Sequence, residues 1–238
     1  MRVVMLTTGG EYGRWIADGL AQRGVRIDAI VFDAYRPRAR VALRKPRRLV
    51  GPFRRWLGAR ALRRHAPLRV VGNLNDQRST QMLQSLQPGL LVLGGARILS
   101  PHVLSTASWG ALNAHPARLP GFRGTGVVSW SILRGVPVTV TVHVVASEVD
   151  AGDILEMRLV PIQPGDTLDD IQHRADRMCA VALAEVTAAI VRGEPIARKP
   201  QNAEAEILRW PDPEQRRHAE ELVEAGEALR LYRQAADE

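Results

Sequence analysis

The stretch "RVVMLTTGGEYGRWIADGLAQRGVRIDAIVFD", residues 2–33, changes its hydrophobic pattern twice. Residues 2–8 form a short apolar run closed by Gly9-Gly10, the pattern of a strand entering a turn. Residues 12–24 place Trp15, Ile16 and Leu20 on one helical face and stop at Gly24, the residue type that most readily ends a helix. Residues 27–33 are apolar again and predict a second strand. Strand, helix and strand at this spacing predict a βαβ unit with parallel strands.

The same alternation continues outward. "LRVVGNL" (68–74) predicts a third strand, and "QRSTQMLQSLQPG" (77–89) a helix closed by Pro88-Gly89. "LLVLGG" (90–95) is apolar throughout, as a strand covered on both faces should be. "ALNAH" (111–115) reads as a strand, "GVVSWSILRG" (126–135) as a helix, and "VTVTVHVVASEVDAGDILEMRLVPI" (138–162) as strand, loop and strand. Residues 166–194 predict a long amphipathic helix, capped by Asp166 or Thr167 and stopping near Gly193. The expected fold class is α/β, a Rossmann-like doubly wound, mostly parallel sheet. After Pro195 the composition turns polar, predicting a Pro-punctuated linker and a surface helix.

The first turn invites a dinucleotide reading. "TGGEYG" (8–13) ends in Gly-x-x-Gly, and Asp33 closes the next strand. The first glycine of the G-x-G-x-x-G fingerprint, which makes the tight turn under a pyrophosphate, is Thr8 here, so the pattern is a glycine turn joining a strand to a helix.

The chain has 238 residues and a formal net charge of +8. Between Ala34 and Asn75 stand thirteen Arg or Lys and no Asp or Glu, which leaves twenty basic against twenty-five acidic residues elsewhere. This segment is expected either to meet an anionic partner or to be a solvated helical face. The longest apolar runs fall short of a membrane-spanning helix, so no membrane partner is expected. The single cysteine, Cys179, excludes an internal disulfide, has no histidine at metal-ligand spacing, and fits a reducing cytoplasm.

Chemistry concentrates in "ALNAHPARLPGFRGTG" (111–126). In an extended segment residues i and i+2 share a face, so Asn113 and His115 project together. Pro116 fixes the backbone after them. An amide beside an imidazole at the carboxyl end of a sheet strand is suited to holding a carbonyl oxygen that becomes an oxyanion. "DAGD" (150–153) adds Asp150, with Glu148 and Asp153 nearby. A carboxylate near an imidazole favours its charged form and can relay a proton. Serine and cysteine are absent from any nucleophile-elbow pattern, so the set points to acyl transfer without a covalent intermediate.

These two motifs together resemble the formyltransferase domain that uses 10-formyltetrahydrofolate, a family that includes glycinamide ribonucleotide, methionyl-tRNA and sugar N-formyltransferases. The matching positions are Asn113, His115, Pro116, Leu119, Pro120, Arg123, Gly124, His143, Asp150 and Gly152. "GGARILSPHVL" (94–104) is similar to the family's pterin-binding strand end. The resemblance implies Asn113, His115 and Asp150 as catalytic residues. It implies Arg97, Ile98, Leu99, Val145 and Glu148 as folate-binding, and Arg123, Gly124, Thr141 and His143 as residues of the substrate loop and of the layer that supports the catalytic set. It covers residues 1–195, a catalytic domain with a basic helical insertion at about 36–66, and leaves 196–238 as a short C-terminal extension. That extension is expected to be too short for the tRNA enzyme's C-terminal barrel. The expected donor is 10-formyltetrahydrofolate and the expected partner a small-molecule amine. A tRNA acceptor, or non-catalytic RNA binding through the basic segment, is the rival, and a homodimer stays open.

Overall fold

The computed structural model describes residues 1–34, 57–201 and 205–237. Most of the basic insertion expected at 36–66 lies outside the described residues. Of it, residues 57–61 are helical and Leu62–Arg64 form a 3₁₀ turn.

The opening βαβ unit is as its pattern predicts. Strand β1 (Val3–Thr7) leads through Gly9 and Gly10 into helix α1 (Glu11–Gln22), which buries Ile16, Ala17 and Leu20. Gly24, at φ 70°, closes the helix, and Val25 N–H bonds back to Leu20 O at 2.9 Å. Strand β2 (Ala29–Asp33) then pairs parallel with β1. Strand β3 (Leu68–Val71), helix α2 (Gln77–Leu86) and strand β4 (Leu90–Gly94) follow. Helix α2 starts on Asp76, whose carboxylate accepts from Ser79 N–H at 2.7 Å. A short helix α3 (Pro101–Leu104) precedes strand β5 (Gly110–His115).

The second half contains the short strand β6 (Arg123–Gly124), helix α4 (Val127–Leu133) and strands β7 (Thr139–Val144) and β8 (Ile154–Leu159). Helix α5 (Leu168–Arg192), strand β9 (Ile207–Leu208) and helices α6 (Pro213–Glu224) and α7 (Glu227–Ala236) complete it. The sheet runs β3-β2-β1-β4-β5-β7-β8, and β6 pairs with β9 separately. The pairs from β3 through β5 are parallel, and β7 and β8 are antiparallel. Burial follows position. Every residue of β1, β2 and β4 is buried, whereas the edge strands β3 and β8 are partly exposed.

The chain forms two compact units, one of residues 1–113 and 183–195, the other of 114–182 and 196–238. The C-terminal extension therefore belongs to the same unit as the Asp150 loop. It holds a strand and two helices, more than the linker and single helix that its composition predicts. Gly226, at φ 82°, breaks the helical run between α6 and α7.

Thr167, not Asp166, caps α5. Asp170 N–H reaches Thr167 Oγ1 at 3.2 Å, while Asp170 Oδ2 accepts from Thr167 N–H at 3.0 Å. Asp166 instead forms a salt bridge with Arg174, which holds its carboxyl below the ordinary carboxylate value. Replacing Thr167 with Ala is expected to cost about 1 kcal/mol in urea denaturation. An unmoved midpoint would show that the cap contributes nothing.

Candidate active site

Strand β5 carries Asn113 and His115 on one face, by the two-residue period of a strand. Asn113 is half-buried and His115 buried. The backbone turns directly after it, with Ala117 N–H bonding His115 O at 2.9 Å, and Thr141 Oγ1 secures the turn by donating to Ala117 O at 2.6 Å. Thr141 is thus a brace for the loop, fully buried on β7.

The loop brings Phe122 O within 2.7 Å of His115 Nε2. A carbonyl only accepts, so Nε2 carries the proton in this contact. The other ring nitrogen, Nδ1, faces Asp150 Oδ2 at 3.6 Å. Both nitrogens of His115 are therefore directed at protein groups. An oxyanion role for Nε2 competes with Phe122 O, which the sequence does not reveal.

Asp150 lies in the loop between β7 and β8. Its backbone is left-handed, at φ 50°, a conformation that aspartate tolerates better than most residues. Its Oδ2 accepts from Gly124 N–H at 3.0 Å. Gly124 itself sits at φ 101°, and a Cβ there would stand 2.2 Å from Leu208 O of β9. Only glycine fits beside that strand, and the close approach aims its amide at the carboxylate. Gly152 is equally constrained, since a Cβ there would meet Val144 O at 1.9 Å.

His143 completes the group. The ladder shifts register between Val142 and His143, a bulge of the kind that re-aims a side chain. His143 Nδ1 donates to Val144 O at 2.9 Å, and Nε2 faces Asp150 Oδ1 at 3.7 Å. Burial pushes its pKa down to about 4, against the pull of Asp150. Electrostatic interaction with His115 and the buried Arg123 lowers it further. Asp150 is thus shared by two imidazoles and one backbone amide.

The remaining expected residues fall in two places. Val145 is half-buried and Glu148 exposed, both in the loop that carries Asp150. In the other unit, Arg97 Nε donates to Asp33 Oδ2 at 2.5 Å and its guanidinium reaches Asn73 Oδ1 at 3.1 Å. Asp33, the acid that closes β2, serves as the anchor for Arg97. Leu99 is buried, and Ile98 exposes 68% of its surface while its carbonyl accepts from Asn75 Nδ2 at 2.9 Å.

The sign of the His143 effect on stability is fixed by its low value. The folded state resists a proton that the unfolded chain takes up near pH 6.5, so stability is full above that pH and is lost as pH falls towards about 4. Replacing His143 with Gln should flatten this part of a melting-temperature profile relative to the unmodified protein. Parallel profiles between pH 7 and pH 4 would contradict a neutral, buried His143.

Comparison with known proteins identifies the family. The family model described as formyl transferase matches residues 1–187. The methionyl-tRNA formyltransferase of Methylacidiphilum infernorum is 33% identical over 205 residues, covering 85% of this chain; the chain spans 61% of that relative's length. Glycinamide ribonucleotide transformylase 1 from Symbiobacterium toebii shares the fold at a TM-score of 0.62 and 22% identity, over 85% of this chain and 95% of that one. The formyltransferase PseJ from Anoxybacillus kamchatkensis, solved with UDP-4,6-dideoxy-4-formamido-L-AltNAc and tetrahydrofolate, aligns at a TM-score of 0.56 and 20% identity, over 87% and 85%. With a family match over most of its length and the Asn-x-His-Pro and Asp-x-Gly motifs in place, the chain belongs to the formyl transferase family.

Proposed function

We propose that this protein transfers a formyl group from 10-formyltetrahydrofolate to a primary amine on a small molecule, a sugar nucleotide or an amino-acid-derived precursor, by direct attack. The observation that carries this reading is the Asp150 carboxylate, held by Gly124 N–H and facing both His115 and His143.

The residues present fit a folate donor. His115, His143 and Asp150 offer two imidazoles and a carboxylate, groups suited to formyl transfer to nitrogen. In the other unit, Ile98 has an exposed apolar side chain of the kind a flat ring packs against. Arg97, held by Asp33 and Asn73, is a fixed rather than a mobile cation in that segment. When bound, 10-formyltetrahydrofolate would supply a formyl carbon joined to a nitrogen that can leave.

The chain's own groups then have two tasks. One is to stabilise negative charge on the formyl oxygen, which the Asn113 amide does by donating a hydrogen bond, joined by His115 if its ring exchanges Phe122 O for that oxygen. The other is to move one proton. As the amine nitrogen bonds to the formyl carbon and the bond to the folate nitrogen breaks, the amine's proton passes to the departing nitrogen. Asp150 and the His115 Nδ1 facing it receive and return that proton, directly or through a water. His143, kept neutral by burial, leaves the negative charge of Asp150 available for this exchange.

The nature of the acceptor draws on the neighbours. PseJ, solved with a formamido sugar nucleotide, supports the sugar class. The identity with methionyl-tRNA formyltransferase supports a second reading, in which the amine is that of methionyl-tRNA. A panel of an amino-sugar nucleotide, glycinamide ribonucleotide and methionyl-tRNA, read by tetrahydrofolate release and product mass, decides between them. Turnover on the amino-sugar nucleotide is expected. Turnover on methionyl-tRNA alone would replace the small-molecule reading.

Asp150→Asn keeps the size of the side chain and removes its charge. It should lower turnover by about 100-fold or more while tetrahydrofolate affinity holds within about threefold. Asn113→Ala should cost on the order of 100-fold in turnover, the usual scale for one oxyanion donor. Near-normal turnover in either variant would remove that residue from the mechanism.

A further inference from the structure

We infer that Gln201, in the C-terminal extension, is a positioning residue for Asp150. This inference rests on the formyl-transfer reading for its consequence in catalysis, but its structural part stands on the contacts themselves.

The extension docks beside the Asp150 loop by main-chain pairing. Ile154 and Lys199 exchange both backbone hydrogen bonds, each at 2.8 Å, as an antiparallel bridge. Counting two residues along each chain in opposite directions sets Gln201 against Gly152. There the ladder gives way to a side chain. Gln201 Nε2 donates to Gly152 O, and also to Asp150 O at 3.2 Å. A primary amide has two N–H groups on one nitrogen, so a single side chain can serve both carbonyls. Glutamate, of the same shape, would present only acceptors to them.

The two carbonyls flank the part of the loop most in need of restraint. Asp150 is held at φ 50°, a region that a residue with a Cβ occupies at an energetic cost. Gly152 is pressed against Val144 O, so the loop cannot relax in that direction. From inside, Gly124 N–H holds the Asp150 carboxylate; from outside, Gln201 holds the Asp150 backbone. The extension also closes on Gly124 itself, where Thr125 N–H donates to Leu208 O at 3.0 Å and β9 pairs with β6. Residues far along the chain from the Asn-His motif thereby fix both partners of the Gly124–Asp150 contact.

Gln201→Met keeps length and approximate volume and removes both donors; Gln201→Glu keeps the shape and replaces them with acceptors. Two readouts are taken on the full chain. The first needs no turnover: exchange of the Gly124 amide proton, followed by NMR. Both variants should lose protection there by about tenfold, with the amides of β1 and β4 unchanged. The second is tetrahydrofolate release from 10-formyltetrahydrofolate with the amino-sugar nucleotide as acceptor. There kcat should fall by about tenfold while the donor's KM stays within about threefold. Unchanged Gly124 protection in both variants would overturn the inference, as would a loss of protection spread evenly over the second unit. Should Gln201→Met fail to fold, the comparison is made on Gln201→Glu alone, with the same two outcomes. If the unmodified protein transfers no formyl group, the Gly124 amide still decides the positioning role, and the two failures remain distinct.

Discussion

The amide of Gly124 reaches Asp150 Oδ2 at 3.0 Å, and the second unit is built so that this contact holds. A left-handed backbone at Asp150, a glycine pressed against Leu208 O and a second glycine pressed against Val144 O are all local costs. They persist because the surrounding structure determines them. The result is a carboxylate with one fixed hydrogen-bond donor and two imidazoles in fixed directions.

Charge explains why the cluster contains these residue types. A half-buried carboxylate is favoured by hydrogen-bond donors and positive charge around it. Here Gly124 N–H meets one oxygen, while Arg123, itself buried on β6, places a positive charge close enough to be felt at His143. His143 answers by staying neutral, with its Nδ1 proton committed to Val144 O. A protonated His143 would compete with His115 for the same carboxylate. Burial prevents that. The single cysteine plays no part, since burial raises its thiol pKa well above the ordinary value and keeps it unreactive.

The fold was largely legible because its signals are local. Continuous apolar runs at Val3–Thr7 and Leu90–Gly94 mark central parallel strands, and Gly24 marks a helix end. The Asn-His pair was legible for a related reason, since a strand's two-residue period needs no tertiary information. Three features were not. The hold of Phe122 O on His115 Nε2 is a main-chain contact that no residue type announces. Strand β9 is two residues long and pairs with β6 across some eighty residues of sequence, too short to show a pattern. Gln201 looked like one polar residue among many in a polar tail, and its meaning comes from the carbonyls it meets. Asp33 taught the converse: a suggestive acid at a strand end proved to be the partner of Arg97.

The central proposal is that Asp150, facing His115, moves the proton when the formyl group leaves the folate nitrogen. A crystal structure of the protein with tetrahydrofolate and an amino-sugar nucleotide tests it most directly. The account predicts the folate nitrogen that carries the formyl group within about 3.5 Å of the Asp150 carboxylate, or one water away, with the acceptor amine on the opposite side. Folate bound elsewhere, or Asp150 turned away from both nitrogens with Gly124 N–H still holding it, would contradict the account.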